Sequence, residues 1–236
     1  MTEITFSSDL GVELIQHVGD DRFVAQTARV STSADLEDIP ESKDVGLIGY
    51  LMRKRHGSPF EHNIFTFRIN APIFVAREAF RHRIASYNEV SARYTEVEPK
   101  FYVYPTGRPL VQAGSSAHPE LQTHPDPESF KRGNDLLRKG YELDWGIYQA
   151  LLKDEGWALE AARVKLPVAS YTSWYVSMNA RALMNFLSLR IDAEGNTFET
   201  KPLWEIEQIA LQMEAHFREK MPVTAAAFEK YGRVSP

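Results

Sequence analysis

The sequence predicts an α+β fold, because a few strand-like segments stand among a larger number of amphipathic helical ones. The chain has 236 residues, of which 43% are hydrophobic and 25% are charged. That composition supplies enough apolar surface for one substantial core. Since no internal repeat divides the sequence, we expect a single domain spanning residues 1–236.

In the first half of the chain, the residue pattern predicts a helix, a strand and a second helix. Residues 44–55 have a helical pattern, and alternating apolar residues predict a half-buried strand over 64–69. Asn70 is expected to cap the next helix, with Pro72 in its first turn. That helix would bury four side chains and leave two arginines on an adjacent face: Ile73, Ala76, Phe80 and Ile84, then Arg77 and Arg81.

The second half predicts a long loop followed by helices and one strand. Proline and glycine crowd residues 105–128, which indicates a surface loop. A helical pattern covers 130–153, and β-branched and aromatic residues over 168–177 predict a strand. Asn179 is expected to cap a helix with a buried stripe of Ala180, Leu183, Met184, Leu187 and Ile191, and a polar face of Arg181, Asn185 and Ser188. Thr200 and Pro202 are expected to open a last helix that buries Leu203, Ile206, Ala210, Met213 and Phe217.

Composition excludes several classes of function. A formal net charge of -5 argues against a general nucleic-acid binder, whose affinity comes from a basic surface facing phosphates. The absence of cysteine excludes disulfides, cysteine-ligated metals and a thiolate nucleophile. The first ten residues lack a leader pattern, and no run of ~18 apolar residues occurs. We therefore expect a cytoplasmic protein that does not bind a membrane.

Two familiar kinds of site are missing from the sequence. Without G-x-G-x-x-G or a P-loop motif, nucleotide binding requires another scaffold. The histidines form no H-E-x-x-H pair, and the spacing of His56 and His62 suits neither one helix face nor one strand face. We expect no metal site.

The most unusual segment is R-H-R-I-A-S-Y-N-E-V-S-A-R-Y at residues 81–94. A solvated helix end is the ordinary interpretation of a charge cluster. This cluster contains three arginines and no lysine, whereas a solvated surface normally uses both. Because the planar guanidinium binds phosphate in a bidentate way and stacks on rings, the composition favours an anion site.

The same segment resembles the signature R-H-R-x-x-S-x-N-E-x-S-x-R of the flavin-dependent thymidylate synthases. Every specified position is filled, by Arg81, His82, Arg83, Ser86, Asn88, Glu89, Ser91 and Arg93. Further segments are similar to other blocks of the family: A-R-V-S at 28–31, H-G-S-P-F-E-H at 56–62, E-A-A-R at 160–163 and N-A-R-A-L-M-N-F-L-S-L-R at 179–190. The resemblance covers most of the chain apart from roughly 105–155.

This resemblance implies a small mixed or antiparallel sheet flanked by helices, in a homotetramer whose active sites lie between subunits. It implies a methyltransferase that converts dUMP to dTMP with 5,10-methylene-tetrahydrofolate as carbon donor, using FAD reduced by NADPH or NADH. The implied FAD contacts are Ser58, Arg81, His82, Arg83, Glu89, Asn179, Arg181 and Asn185.

The resemblance also implies a substrate site that consists of Glu78, Arg81, Glu89, Ser91, Arg93, Arg163 and Arg190. Arg190 would face the uracil and is the candidate catalytic residue, because a permanent cation can stabilise negative charge on the N3/O2 edge. Ser91 is expected to donate a hydrogen bond to phosphate, since Arg93 is no base to activate it as a nucleophile. His56 and Tyr94 are implied to lie near flavin and folate.

Simpler interpretations and two departures leave alternatives open. Taken alone, Arg163 and Arg190 could be cations near helix ends, and Asn179 a plain cap. Glu78-Ala79 replaces the family's usual Gln-Trp, and the segment 191–202 is longer than its counterpart and lacks a histidine. The alternatives are a related pyrimidine nucleotide transferase, such as a dUMP hydroxymethylase, and a noncatalytic nucleotide- or RNA-binding protein. The absence of cysteine fits the flavin route, because the other thymidylate synthases need a thiolate to attack uracil.

Overall fold

The computed structural model describes residues 3–31, 40–114 and 120–236, and within them helices and strands confirm the predicted α+β class. The α-helices are α1 (Asp21–Arg29), α2 (Asp44–Lys54), α3 (Ile73–Ala79), α4 (Pro127–Lys153), α5 (Leu159–Ala162), α6 (Ala180–Arg190), α7 (Trp204–Lys220) and α8 (Pro222–Lys230). The strands are β1 (Thr5–Ser7), β2 (Gly11–Val18), β3 (Ile64–Pro72), β4 (Ser86–Glu89), β5 (Lys100–Tyr102), β6 (Val111–Gln112), β7 (Leu121–Gln122) and β8 (Tyr171–Asn179).

The chain forms two compact units, each assembled from separate stretches of sequence. The α4 unit comprises Met1–Asp9, Asn70–Arg77 and Glu89–Ser173 so far as they are described. The α6 unit comprises Leu10–Ile69, Glu78–Asn88 and Trp174–Pro236 on the same terms. The chain passes from one unit to the other within β3, α3, β4 and β8, so neither unit is a continuous segment. A single domain over 1–236 stays a prediction.

The α6 unit is built on a sheet with strand order β2-β3-β8-β4. Within β3, Phe65 and Phe67 are fully buried and stacked at 5.9 Å between ring centroids, and the ring of Phe217 on α7 meets Phe65 edge-on at 6.0 Å. In β8 the alternate residues Trp174 and Val176 are buried in the same way. Each such side chain contributes about 1.5–3 kcal/mol on burial. The predicted alternation of 64–69 is confirmed.

The expected helix start at Asn70 is wrong. Apolar alternation continues through Ala71, so β3 extends to Pro72, and α3 begins only at Ile73. The helix ends at Ala79, which places Arg81 beyond it and leaves Ile84 76% exposed. Extended pairing over the strand outweighs the local preference of Asn-x-Pro for a helix start. The predicted face shared by Arg77 and Arg81, and the burial of Ile84, are therefore wrong.

The predicted features of α6 are confirmed. The Asn179 side chain caps the helix by accepting a hydrogen bond from the backbone N–H of Ala182 at 2.8 Å. The predicted stripe is buried, and Arg181 and Asn185 lie on the exposed face. The strand before it runs over Tyr171–Asn179 rather than 168–177.

The last two helices differ in how their N-termini are stabilised. Helix α7 begins at Trp204, after Thr200, whose hydroxyl donates to the backbone oxygen of Leu189 at 2.8 Å instead of capping the helix. Of its predicted inner residues, Ile206, Ala210, Met213 and Phe217 are buried, whereas Leu203 precedes the helix and is half-buried. Helix α8 has no cap from its own sequence. The carboxylate of Asp21 on α1 accepts from the backbone N–H groups of Val223 and Thr224, both at 2.8 Å.

The α4 unit packs a long helix against a parallel strand pair. Strands β1 and β5 pair in parallel, with Phe6 opposite Phe101. Phe101 is buried with Trp145 and Tyr148 of α4, so this helix, predicted over 130–153, covers a small aromatic core. Residues 115–119 of the predicted loop 105–128 lie outside the described residues. The described part contains the short exposed antiparallel pair β6–β7, and its last two residues belong to α4. No helix among the described residues is long and apolar enough to cross a membrane.

Candidate active site

The first candidate cavity lies within the α6 unit and has a volume of about 790 Å³. The start of the signature reaches it because Tyr87 donates from its hydroxyl to the backbone oxygens of Ala79 (2.9 Å) and His82 (3.0 Å), which fixes the turn after α3. The lining residues predicted for FAD or uracil are Arg81, His82, Arg83, Asn179, Arg181, Asn185 and Arg190. The others are Glu61, Ile84, Met178, Ala182, Leu189, Ser235 and Pro236.

Arg190 is held between two side chains at the end of α6. Its Nε donates to Nε2 of His82 at 3.0 Å, and its Nη1 lies 3.2 Å from the Oε2 of Glu78. Burial, followed by the charge of Arg190, lowers the pKa of His82 to about 4. His82 is therefore a neutral acceptor near pH 7, and the guanidinium of Arg190 keeps its charge.

Arg181, on the exposed face of α6, is held by two acceptors. Its Nη1 pairs with the Oε1 of Glu61 at 2.5 Å, and its Nε donates to the backbone oxygen of Pro236 at 2.6 Å. These contacts place the guanidinium at the wall of the first cavity. Sequence reasoning assigned no role to Glu61 or Pro236.

The second candidate cavity lies within the α4 unit and has a volume of about 950 Å³. Its lining includes Glu89, Ser91 and Arg163, all predicted to bind dUMP. It also includes Lys100 and Thr172, which the sequence did not single out. The hydroxyl of Thr172 donates to Glu89 at 2.8 Å, and Lys100 Nζ lies 4.4 Å from the centroid of the Tyr171 ring.

Two predicted phosphate ligands meet at Glu160. The Nε of Arg93 lies 2.5 Å from the Oε2 of Glu160, and the Nε of Arg163 donates to the backbone oxygen of the same residue at 3.3 Å. The backbone N–H of Arg93 also donates to the hydroxyl oxygen of Ser91 at 3.3 Å. Ser91, Arg93 and Arg163 therefore belong to one polar cluster.

Of the residues predicted at flavin or folate, four lie elsewhere or line the second cavity. Ser58 is exposed in the short turn Ser58–His62 and does not line the first cavity. The ring of His56 contacts that of Tyr50 at 5.8 Å between centroids. Tyr94 is 76% exposed beside Arg93. Glu89, predicted for both ligands, lines the second cavity and not the first.

The chemistry of the first cavity suits an anionic dinucleotide with an aromatic ring system. Arg81, Arg83 and Arg181 supply positive charge for a diphosphate, and Asn179 and Asn185 are amides beside them. Ile84, Met178 and Leu189 supply apolar surface for a ring. These residues fit FAD. Across 3–31, 40–114 and 120–236, no three His, Cys, Asp or Glu side chains gather into a possible metal site.

Comparison with known proteins identifies the family. The family model described as thymidylate synthase complementing protein matches residues 13–223. The flavin-dependent thymidylate synthases of Tropheryma whipplei and Streptomyces avermitilis are each 44% identical to this chain over 98% of its length, and the matches cover 97% and 96% of those proteins.

The solved structures give the same result. The UMP/dUMP methylase PolB from Streptomyces cacaoi, bound with 5-Br UMP, superposes with a TM-score of 0.92 at 44% identity, over 99% of this chain and 100% of that one. The structure of PolB with 5-Br dUMP gives a TM-score of 0.90. With the signature side chains gathered at two cavities and relatives matched over nearly the full length, the chain belongs to the flavin-dependent thymidylate synthase family.

Proposed function

We propose that this protein converts dUMP to dTMP, with 5,10-methylene-tetrahydrofolate as carbon donor and FAD reduced by NADPH or NADH. Family membership and the names of the relatives support the synthase rather than a hydroxymethylase or a noncatalytic RNA-binding protein. The observation that carries the proposal is the convergence of Arg81, His82 and Arg83 with the polar face of α6 on one cavity. A cytoplasmic location is part of the same proposal.

The FAD site is proposed to be the first cavity. Arg81, Arg83 and Arg181 would neutralise the diphosphate, and the amides of Asn179 and Asn185 would hydrogen-bond to the cofactor. Bound and reduced, FAD supplies the electron pair that turns a methylene into a methyl group. Ser58, His56 and Tyr94 retain the roles that the resemblance implies, as parts of this proposal.

The dUMP phosphate is proposed to bind the polar cluster of the second cavity. Ser91 would donate a hydrogen bond, and Arg93 and Arg163 would supply charge. For Arg93 this means exchanging Glu160 for phosphate, and the ion pair is exposed enough, at 46% and 57%, for that exchange to cost little. Glu89, held by Thr172, would accept a hydrogen bond from the nucleoside.

Arg190 is proposed to act on the uracil. Before C5 of uracil attacks the methylene carbon and displaces the folate nitrogen, the ring becomes nucleophilic by gaining partial negative charge, which is shared with the N3/O2 edge. Arg190 can stabilise that charge without losing a proton, because its guanidinium stays charged. His82 and Glu78 hold Arg190 in place for this role. Glu78 would therefore lie at the substrate, as the sequence implied.

We also propose the homotetramer that the family resemblance implies. Each dUMP would receive Arg81 and Arg190 from one subunit and Ser91 and Arg93 from its neighbour. In support, Arg81 and Arg190 line the first cavity, whereas Ser91, with Arg93 beside it, lines the second, and each cavity is formed by one unit alone.

A second candidate activity is methylation of UMP. The structures of PolB, named a UMP/dUMP methylase, contain 5-Br UMP and 5-Br dUMP. A direct comparison tests it: mass spectrometry of the products from equal amounts of dUMP and UMP. We expect dUMP to be the preferred substrate. Faster methylation of UMP than of dUMP would show that UMP, and not dUMP, is the preferred substrate.

Flavin binding tests the proposed function. Titration of the purified protein with FAD should give a saturable flavin difference spectrum, which an Arg83→Ala variant should weaken because one diphosphate contact is lost. Arg132→Ala is a matched control, since this exposed arginine on α4 lines neither cavity. A wild-type protein that takes up no flavin would end the proposal.

A further inference from the structure

Residues 234–236, which we call the strap, bring Ser235 and Pro236 to the wall of the first cavity. Ser235 Oγ donates to the backbone oxygen of Arg181 at 2.8 Å, and the backbone oxygen of Pro236 accepts from Arg181 Nε at 2.6 Å. Val234 accepts a further hydrogen bond from Arg55 at the end of α2. The strap thus contacts both the backbone and the guanidinium of Arg181.

The strap is anchored just before it begins. Arg233 is 4% exposed, and its Nη1 lies 2.7 Å from the Oε1 of Glu214 on α7. Gly232 has a φ of 82°, and its backbone oxygen accepts from the N–H of Thr197 at 3.0 Å. A Cβ at Gly232 would lie 2.1 Å from the Thr197 hydroxyl oxygen, so the backbone of this turn packs closely against Thr197. The strap therefore starts from a fixed point.

Gly57 marks how closely the strap and Arg181 are packed. A Cβ at Gly57 would lie 2.5 Å from Arg181 Nε and 2.7 Å from the backbone oxygen of Pro236. Both distances are far inside van der Waals contact, so a side chain here would displace the hydrogen bond. The close approach of Arg181 and Pro236 thus explains why glycine occupies position 57 in the segment H-G-S-P-F-E-H.

We infer that the strap is a positioning element that holds the guanidinium of Arg181 ready for an anionic group of the flavin cofactor. The inference rests on the proposed function, since it takes the first cavity as the FAD site. Glu61 and Pro236 fix Nη1 and Nε of a side chain that is still 46% exposed. Ordering a flexible arginine costs conformational entropy. Because the strap orders Arg181 before the ligand arrives, binding of the ligand does not bear that cost.

The alternative is that the strap plugs the cavity and must leave before a ligand enters. Three features argue for positioning. Pro236 is buried, Arg233 is anchored by a buried ion pair, and the strap binds Arg181 through Nε, which leaves other guanidinium hydrogens for a ligand. Removing a plug would tighten FAD binding, whereas removing a positioning element weakens it.

A double-mutant cycle on FAD affinity separates these possibilities. Deletion of residues 235–236 should weaken FAD binding about tenfold in the wild-type protein, because Arg181 is no longer ordered. In an Arg181→Ala background the same deletion should change the affinity by less than about twofold. Equal weakening in both backgrounds, or tighter binding after deletion, would overturn the inference.

A second measurement needs no cofactor. In the ligand-free protein, solvent exchange of the Arg181 Nε hydrogen, followed by NMR, should become faster on deletion of residues 235–236 or in Gly57→Ala. Ser235→Thr keeps the hydroxyl and should stay close to wild type, while Ser235→Ala should not. Unchanged exchange in the deletion would overturn the inference even if FAD binds. Absence of FAD binding in the wild-type protein, with exchange still responding, would instead overturn the proposed cofactor.

Discussion

The Nε of Arg190 donates a hydrogen bond to the Nε2 of His82 over 3.0 Å. An imidazole nitrogen that accepts is unprotonated, so His82 is neutral with its hydrogen on Nδ1. Burial, followed by the charge of Arg190, lowers the pKa of His82 to about 4 and keeps this state at neutral pH. His82, a residue of the signature, thus positions Arg190 without adding a charge of its own.

This contact predicts how stability depends on pH. The pKa of His82 is about 4 when folded and near the ordinary histidine value of 6.5 when unfolded, so the unfolded chain binds the proton first. The free energy of unfolding should therefore fall as the pH is lowered from 6.5 towards 4. Urea titrations across this window measure it. His82→Gln, which keeps an acceptor, should show a shallower slope, and identical slopes in both proteins would contradict the assignment.

Arg190→Ala should lose most dTMP formation and still oxidise NAD(P)H through the flavin, because we propose that its charge acts on the uracil. Loss of such a stabilising group costs about 10²–10³ in kcat. Product mass and NADPH absorbance measure the two activities separately. Arg190→Lys keeps the charge but lacks the planar guanidinium, so its rate of dTMP formation should lie between those of the wild type and Arg190→Ala. Equal loss of both activities in Arg190→Ala would instead indicate a role at the flavin.

Ser91→Ala should raise the KM for dUMP more than it lowers kcat. The hydroxyl would supply one hydrogen bond to a charged phosphate, worth about 1.5–3 kcal/mol. Ser86→Ala, in the same signature, is the matched serine control, since Ser86 does not line the second cavity. Complete loss of turnover in Ser91→Ala with unchanged dUMP affinity would support the serine nucleophile that we reject.

Asp21→Ala should destabilise the fold by about 1–3 kcal/mol, because its carboxylate supplies the N-terminal hydrogen bonds of α8. The free energy of unfolding from urea titration measures this. Glu219→Ala removes an exposed carboxylate paired with its neighbour Lys220 and should leave stability close to that of the wild type. An equal effect of the two substitutions would show that α8 needs no cap from α1.

Mixed oligomers test the proposal of shared sites. Arg93→Ala and Arg190→Ala proteins, each nearly inactive, should regain activity when they are unfolded together and refolded. Some sites in the mixed oligomer then carry both substitutions and others carry neither. Two differently tagged copies, purified in sequence, confirm that the oligomers are mixed. Verified mixed oligomers as inactive as their parents would place both arginines in one site from one chain.

The sequence correctly predicted elements whose stabilising contacts lie within one short segment. Helix α6 was predicted correctly because its cap, Asn179, and its buried stripe lie within one segment. Strand β2 was missed because its burial alternates only between exposed and half-buried residues, so its apolar pattern is weak. Strand β1 was missed because it pairs with β5, which lies far along the chain.

The candidate site shows the same limit. The signature itself indicated an anion site, and Arg81, His82 and Arg83 line one cavity. The contact of Arg181 with Pro236, 55 positions away, has no local signal. The Thr172–Glu89 hydrogen bond likewise joins residues 83 positions apart. Such partners become visible only when the chain is folded.

The proposed activity can be checked at the product of the complete reaction. Purified protein with dUMP, methylene-tetrahydrofolate and NADPH should form dTMP, identified by mass, only when FAD is present. Omission of FAD from flavin-stripped protein should abolish the product, and its return should restore it. Formation of dTMP at an unchanged rate by fully flavin-free protein, or no dTMP with every component present, would contradict the account.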